Sequence, residues 1–123
     1  MIPRAVQREV RKRAGERCEY CQLSQSRQEA TFHIDHIIPV AAGGGDSVDN
    51  LALACVSCSL KKGASRFGTD PESGKRVPIF HPREQTWSKH FKWKEFTLIG
   101  ETACARATIA MLDLNRSLIQ AIR

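Results

Sequence analysis

Two C-x-x-C pairs constrain this sequence more than any other feature: Cys18 with Cys21, and Cys55 with Cys58. A two-residue spacer lets both sulfurs of a pair point at one metal ion, and zinc takes four such ligands in a tetrahedral arrangement. Disulfides are not expected, because the basic N-terminus lacks the apolar stretch of an export signal. The four cysteines are therefore predicted to bind one structural zinc ion. The fifth, Cys104, stands alone and is expected to be a small buried hydrophobe in a helix.

The composition favours one globular domain that binds a polyanion. The chain has 123 residues, 41% of them hydrophobic, and no long apolar run that could cross a membrane, so the cytoplasm is the expected location. Residues 1–17 contain six basic and two acidic side chains and so carry four of the six net positive charges. Nucleic acid is the commonest partner of such a surface, and the alternative is a solvated helix that keeps the protein soluble.

Residues 3–14 are predicted to form an amphipathic helix. Pro3 suits the first turn, Gly15 suits the C-terminal stop, and one apolar stripe recurs every four residues at Ile2, Val6, Val10 and Ala14. Three arginines fall on the opposite side: Arg4, Arg8 and Arg11. The helix can therefore bury one face and offer the other to phosphates.

The central part of the chain predicts a compact strand, loop, strand and helix. Residues 30–35 have strand-forming side chains, residues 41–46 form a glycine-rich connection, residues 51–54 are predicted to be a second short strand, and a short helix runs from the second cysteine pair to about Gly63. Residues 64–86 are predicted to be mostly loop, with a short extended piece at 77–80. A strand at 96–99 and a terminal helix at 102–122 then wrap the core, rather than forming a second domain.

Three residues match the needs of one-metal phosphodiester hydrolysis, which requires a general base, a divalent cation and a group that orients the base. Histidine suits the base role because its ordinary pKa of about 6.5 leaves it largely neutral at cellular pH. Aspartate is a hard oxygen ligand for magnesium or manganese. His36, Asp35 and Asn50 are the candidates for base, ligand and orienting amide.

The order of these elements resembles the HNH endonucleases. The similar elements are a C-x-x-C pair, Asp35-His36-Ile37-Ile38-Pro39, the Gly43-Gly44 pair, Asp49-Asn50-Leu51, the second C-x-x-C pair, and Lys61-Lys62. The resemblance implies an α+β fold with a ββα-metal (His-Me finger) core stapled by a four-cysteine zinc site and flanked by N- and C-terminal helices. The whole chain is then expected to be a single nuclease domain, with the core motif at 18–63 and a wrapping segment at 64–123.

By this resemblance, Asp35 would bind the catalytic cation, His36 would activate water, and Asn50 would hold the loop or orient the imidazole. The cation would be magnesium or manganese, with nickel as an alternative, and the products would carry a 5′-phosphate and a 3′-hydroxyl. The chain departs from the family at Ser59, where a histidine or asparagine usually supplies a second metal ligand. In a regular strand His33 shares a face with Asp35, so His33 is a candidate ligand too, and equally a surface or core histidine.

Double-stranded DNA is the expected substrate, contacted by Arg4, Arg8, Arg11, Lys61 and Lys62 with little sequence specificity unless a protein partner supplies it. Two alternatives remain open from the sequence. One is a catalytically inactive zinc-containing nucleic-acid-binding module, and the other is a protein-interaction zinc domain. The later stretch around Arg83 and His90 is similar to a bacterial subgroup of the family, and there we expect structural support rather than phosphate binding.

Overall fold

A computed structural model describes residues 2–122, except for the side chain of Ile122. The helices and strands, in chain order, are α1 (Arg4–Arg13), β1 (His33–His36), β2 (Leu51–Ala54), α2 (Val56–Lys62), β3 (Phe67–Thr69), β4 (Arg76–Pro78), β5 (Phe91–Lys94), β6 (Thr97–Gly100), α3 (Ala103–Leu112) and α4 (Ser117–Ile122). Short 3-10 helices lie in the connections, at Gln25–Arg27, Val40–Ala42, Val48–Asn50 and Trp87–Lys89.

The strands pair as small antiparallel hairpins: β1 with β2, β3 with β4, and β5 with β6. In the first hairpin Asp35 lies opposite Ala52 and His36 opposite Leu51. Helix α2 follows β2 directly and packs against both strands of this hairpin. The predicted α+β class is confirmed, and the central strand, loop, strand and helix form the predicted ββα unit.

The core lies between this unit and the two flanking helical regions. Strand β2 is buried along its whole length, and α1 packs its apolar stripe against the core with Val10 fully buried. Helix α3 covers α2 and the hairpins of the second half, burying Ala105, Ala107 and Leu112. The stripe predicted for the first helix is therefore confirmed. Among the described residues, no helix is long and apolar enough to span a membrane.

The first strand begins later than predicted, at His33 instead of residue 30. Side chains take the place of a strand partner just before it: Gln25 accepts a hydrogen bond from the Phe32 amide, and Arg11 donates one to the Phe32 carbonyl. The partner strand ends at Ala54, where the cysteine knuckle begins. Side chains, instead of a partner strand, therefore satisfy the backbone groups of Phe32.

The second half contains more regular structure than predicted. Residues 64–86 hold the β3–β4 hairpin, and β5 precedes the predicted strand, which begins at Thr97. The single helix expected over 102–122 is wrong, because Asp113 adopts a left-handed backbone (φ 48°) and separates α3 from α4. The break rotates Leu118 out of the core, where it is 70% exposed, whereas Ile119 is buried.

Candidate metal centre and active site

The four cysteines of the two C-x-x-C pairs converge in one buried cluster, with all four Sγ atoms within 4.8 Å of one another. Each pair forms a knuckle in which a backbone amide points at a sulfur: the Cys21 amide lies 3.5 Å from Cys18 Sγ, and the Cys58 amide lies 3.4 Å from Cys55 Sγ. The Sγ atoms of Cys21 and Cys55 are 3.7 Å apart. Four sulfurs at about 2.3 Å from a zinc ion in a tetrahedron would be about 3.8 Å apart, so the cluster fits zinc.

The electrostatics of the cysteine cluster also favour a bound cation. Burial raises the pKa of the Cys18 thiol well above its usual value, because a thiolate that has lost its water is costly without a counter-ion. Arg116 reaches the cluster from the chain after α3, and its guanidinium lies 3.8 Å from Cys55 Sγ. Zinc would supply the remaining positive charge. Cys104 lies in α3, half-buried and away from the cluster, with its Sγ 3.8 Å from Gln85 Oε1.

Helix α2 places two polar side chains against the face of β1 that carries His33 and Asp35. Ser59 lies beside His33, with its Oγ 2.8 Å from Nδ1, and Lys62 lies beside Asp35. The expected shared face of His33 and Asp35 is therefore confirmed. The i, i+3 spacing of Ser59 and Lys62 puts both on the same side of the helix.

Asp35 is buried and already has partners. Its Oδ2 accepts a hydrogen bond from the Tyr20 hydroxyl at 3.1 Å and lies 3.1 Å from Lys62 Nζ. Lys62, only 1% exposed, also donates a 2.9 Å hydrogen bond to the His36 carbonyl. Burial raises the pKa of Asp35, and Lys62 and Tyr20 oppose this rise. Lys62 was predicted to contact nucleic acid, but its ammonium faces the interior, since the buried carboxylate needs a counter-charge.

His36 ends β1 and turns to the other side of the strand. Its Nε2 lies 2.7 Å from Asp46 Oδ1, and the two side chains are 24% and 52% exposed. This contact with His36 holds the pKa of Asp46 below its usual value. With Nε2 engaged, Nδ1 is the ring nitrogen left to meet a water molecule. Sequence reasoning missed Asp46, and the only signal for it was its place after the glycine run.

Asn50 holds the loop that follows β1. Its Oδ1 accepts a hydrogen bond from the Ile38 amide at 2.8 Å, and its Nδ2 donates to the carbonyls of Ile38 and Gly45 at 3.0 and 2.9 Å. Gly44 is required here, because a Cβ would lie 1.7 Å from the Ile38 carbonyl oxygen. Of the two predicted roles for Asn50, the contacts match holding the loop, whereas Asp46 contacts the imidazole.

One open surface pocket joins these side chains. It has a volume of about 420 Å³ and is lined by His33, Asp35, His36 and Ser59, together with the Pro39 turn and Gly63. An imidazole, a hydroxyl and a carboxylate are all possible ligands of a divalent cation. Within residues 2–122, however, the four cysteines form the single cluster of three or more His, Cys, Asp or Glu ligand atoms. The potential ligands that line the pocket therefore do not form a cluster of that kind among the described residues.

The predicted DNA-contacting residues differ in how free their charges are. Arg4 and Arg8 are exposed on α1, and Lys61 is exposed but lies 3.4 Å from Asp113. Arg11 is half-buried and donates to the Phe32 carbonyl, so it supports the start of β1 rather than projecting outward.

Arg83 and His90 make the structural contacts expected of them. Arg83 pairs with Glu19, whose carboxylate also accepts from the Leu53 amide, while His90 Nδ1 lies 2.7 Å from the Thr102 hydroxyl.

These observations define an α+β protein with a four-cysteine cluster that fits zinc, in which a ββα unit carries an Asp-His pair beside a surface pocket. Residues 18–65, about two fifths of the chain, match the family model described as HNH endonuclease. The resemblance seen in the sequence is therefore confirmed over this segment, which links the chain to nuclease-type proteins that act on nucleic acids. Comparison with curated proteins and with solved structures gave no significant match.

Proposed function

We propose that the chain is a metal-dependent endonuclease that hydrolyses DNA phosphodiester bonds. One observation carries the proposal: His36, with its Nε2 fixed by Asp46, lines the same pocket as three potential cation ligands, Asp35, Ser59 and His33. A general base beside a cation site, open to solvent on a basic protein, is the minimum that the reaction needs. The family match over the ββα unit supports the same chemistry.

In the proposed reaction His36 Nδ1 accepts a proton from a water molecule as the water oxygen attacks phosphorus. The bond from phosphorus to the 3′ oxygen breaks, leaving a 5′-phosphate and, after protonation by solvent, a 3′-hydroxyl. Asp46 holds the imidazole and stabilises the positive charge that develops on it, because its carboxylate lies 2.7 Å from Nε2. Asn50 keeps the loop that carries Asp46 close to β1 through its bonds to Ile38 and Gly45.

Asp35, His33 and Ser59 would hold the divalent cation, magnesium or manganese, with nickel as an alternative. When bound, the cation supplies positive charge for the non-bridging and leaving oxygens. His33 and Ser59 already lie 2.8 Å apart, so both can turn toward one ion. Lys62 already supplies positive charge beside Asp35, so Lys62 and the cation would share the Asp35 carboxylate.

Double-stranded DNA is the proposed substrate, bound through phosphates by Arg4 and Arg8 on α1 and by Lys61 on α2. These side chains are exposed, and none belongs to a helix shaped to read base edges, so they position the duplex without specifying its sequence. Any strong sequence preference would have to come from a protein partner.

A plasmid assay tests the proposal. Supercoiled plasmid is incubated with zinc-loaded protein and added magnesium, manganese or nickel, alongside the His36→Ala protein. We expect nicked and linear DNA with 5′-phosphate ends from the wild type alone. Equal and complete survival of the plasmid with both proteins in every metal would refute the nuclease assignment.

A catalytically inactive nucleic-acid-binding module is the second candidate, and the Asp35–Lys62 pair favours it. A buried ammonium 3.1 Å from the carboxylate can replace the cation in the folded state, and Ser59 is a weaker ligand than histidine or asparagine. This candidate predicts salt-dependent DNA binding without cleavage. The absence of any salt-dependent binding would instead favour a protein-interaction domain.

A further inference from the structure

A groove on another part of the surface combines exposed aromatic rings with arginines. Its volume is about 570 Å³, within the range of roughly 300–1,000 Å³ that is usual for ligand sites. The β5–β6 hairpin forms one wall with Trp93 and Phe96, which are 44% and 59% exposed. Arg17 and Arg27, from the segment around the first zinc knuckle, line it as well.

The aromatic wall is braced from the core. Trp87 stacks on the buried Phe91 with ring centroids 5.0 Å apart, and Trp93 follows at 5.9 Å from Trp87. The Trp87 indole also donates a 3.1 Å hydrogen bond to the Tyr20 carbonyl, which ties this row to the zinc knuckle. The row therefore runs from the interior to an exposed indole whose position is fixed before any ligand arrives. Such preorganisation reduces the entropy lost on binding.

The charges of the groove favour an anionic ligand. Arg17 and Arg27 are both exposed. One guanidinium nitrogen of Arg17 donates a hydrogen bond to the Gln22 carbonyl, and because this acceptor is not a carboxylate, the contact does not compensate the positive charge of Arg17. Glu95 is the acidic residue among those lining the groove.

We infer that this groove binds single-stranded DNA, with unpaired bases stacked on Trp93 and Phe96 and the adjoining phosphates held by Arg17 and Arg27. Flat aromatic rings beside cationic side chains form the platform on which unpaired bases stack, whereas a base inside a duplex has no free face to offer. The site is distinct from the His36 pocket, with which it shares no lining residue. The inference therefore holds whether or not the chain cleaves DNA.

Binding to short fluorescent oligonucleotides tests the inference. The His36→Ala protein is used without added divalent cation, so that cleavage cannot affect the result. The probes are oligothymidylate, an abasic oligomer with the same number of phosphates, the matching duplex, and oligouridylate. We expect oligothymidylate to bind more tightly than the abasic oligomer by about fivefold to a hundredfold, which corresponds to stacking of one base, and to quench tryptophan fluorescence.

Two substitutions locate the effect. Trp93→Ala should remove most of the preference for oligothymidylate over the abasic oligomer, with Phe96 supplying what remains, whereas Trp93→Phe should retain most of it. Leu118→Ala is the matched control, because Leu118 is a similarly exposed apolar side chain outside the groove. Arg27→Ala should lower the salt dependence of binding by about one unit of slope. Lys75, exposed in the β3–β4 turn, provides the control for loss of a charge elsewhere.

Three outcomes would overturn the inference. The first is equal affinity for the thymidylate and abasic oligomers, and the second is a preference that Trp93→Ala leaves unchanged. The third is tighter binding of the duplex or of oligouridylate than of oligothymidylate. Zinc content and circular dichroism of each variant establish that it is folded. If Trp93→Ala is not folded, the first and third outcomes, measured with tryptophan at position 93, still decide.

Discussion

Replacing Lys62 with methionine removes the ammonium that faces Asp35 while keeping an unbranched side chain as far as Cε. The two charges are 3.1 Å apart, and their side chains are 1% and 9% exposed. At an effective dielectric constant of about 20 their attraction is about 5 kcal/mol. Loss of one partner of a buried pair typically costs about 3–5 kcal/mol, because the other charge is left uncompensated. We therefore expect Lys62→Met to lower the free energy of unfolding by about 3–5 kcal/mol.

The double variant separates the charge from the packing. Asp35→Asn keeps an acceptor for the Tyr20 hydroxyl but removes the charge, so Lys62→Met combined with Asp35→Asn should regain most of the stability that Lys62→Met loses. Urea unfolding of the zinc-loaded proteins gives all four free energies of a double-mutant cycle. Simple addition of the two single losses would refute the argument, because it would mean that the charges do not interact.

The pH dependence gives a second check on the same pair. Burial raises the pKa of Asp35, and removing Lys62 takes away the main influence that opposes this rise. A raised carboxyl pKa means that the folded state binds the proton more tightly than the unfolded state. The free energy of unfolding therefore falls as the pH rises from the carboxyl pKa of the unfolded state to that of the folded state. The deficit of Lys62→Met should therefore be larger at about pH 7.5 than at about pH 5.5. A deficit that is larger at the lower pH would contradict the assignment.

Three further variants test other parts of the account. Asp46→Asn should slow plasmid nicking about tenfold or more, because the His36 ring loses its charged partner. The control Asp49→Asn should not slow nicking. Equal rates for the two variants would exclude a positioning role for Asp46. Cys58→Ser should lower the bound zinc below one ion per chain and reduce the melting temperature, measured by metal analysis and calorimetry, and unchanged zinc would contradict the four-cysteine site. The contacts of Asp70 with an arginine and a serine lower its pKa, so its stabilising effect is complete well above its ordinary pKa of about 3.9. Asp70→Asn should therefore reduce the melting temperature by the same amount at pH 6 and pH 8.

The sequence predicted the parts of the fold that short-range rules determine. The cysteine spacing indicated the metal cluster, and the strand at 51–54 and the short helix after it were located correctly. The β5–β6 hairpin was predicted only in part, although Phe91 and Trp93 alternate with lysines at the strand period. The break at Asp113 could not be predicted from the sequence. The apolar spacing continues through this residue, and an aspartate does not indicate by itself that its backbone is left-handed.

The residues proposed for the candidate site come from sequence motifs, whereas the charged groups beside them are brought there by the fold. Asp35, His36 and Asn50 were found by motif, yet their partners come from elements that only the fold brings close. Lys62 reaches Asp35 across the packing of α2 on β1, and Asp46 reaches His36 from a loop ten residues away. A lysine next to another lysine suggests a solvated surface, since nothing local in the sequence indicates that one of the two is buried.

The most direct test of the proposed activity is the single-turnover rate of plasmid nicking by zinc-loaded protein in manganese, compared between the wild type and His36→Ala at matched zinc content. A general base contributes about 10²- to 10⁴-fold, so we expect the variant to be slower by at least about a hundredfold while binding DNA as the wild type does. A His36→Ala protein that nicks DNA as fast as the wild type would contradict the assignment of His36 as the base and, with it, the proposed mechanism.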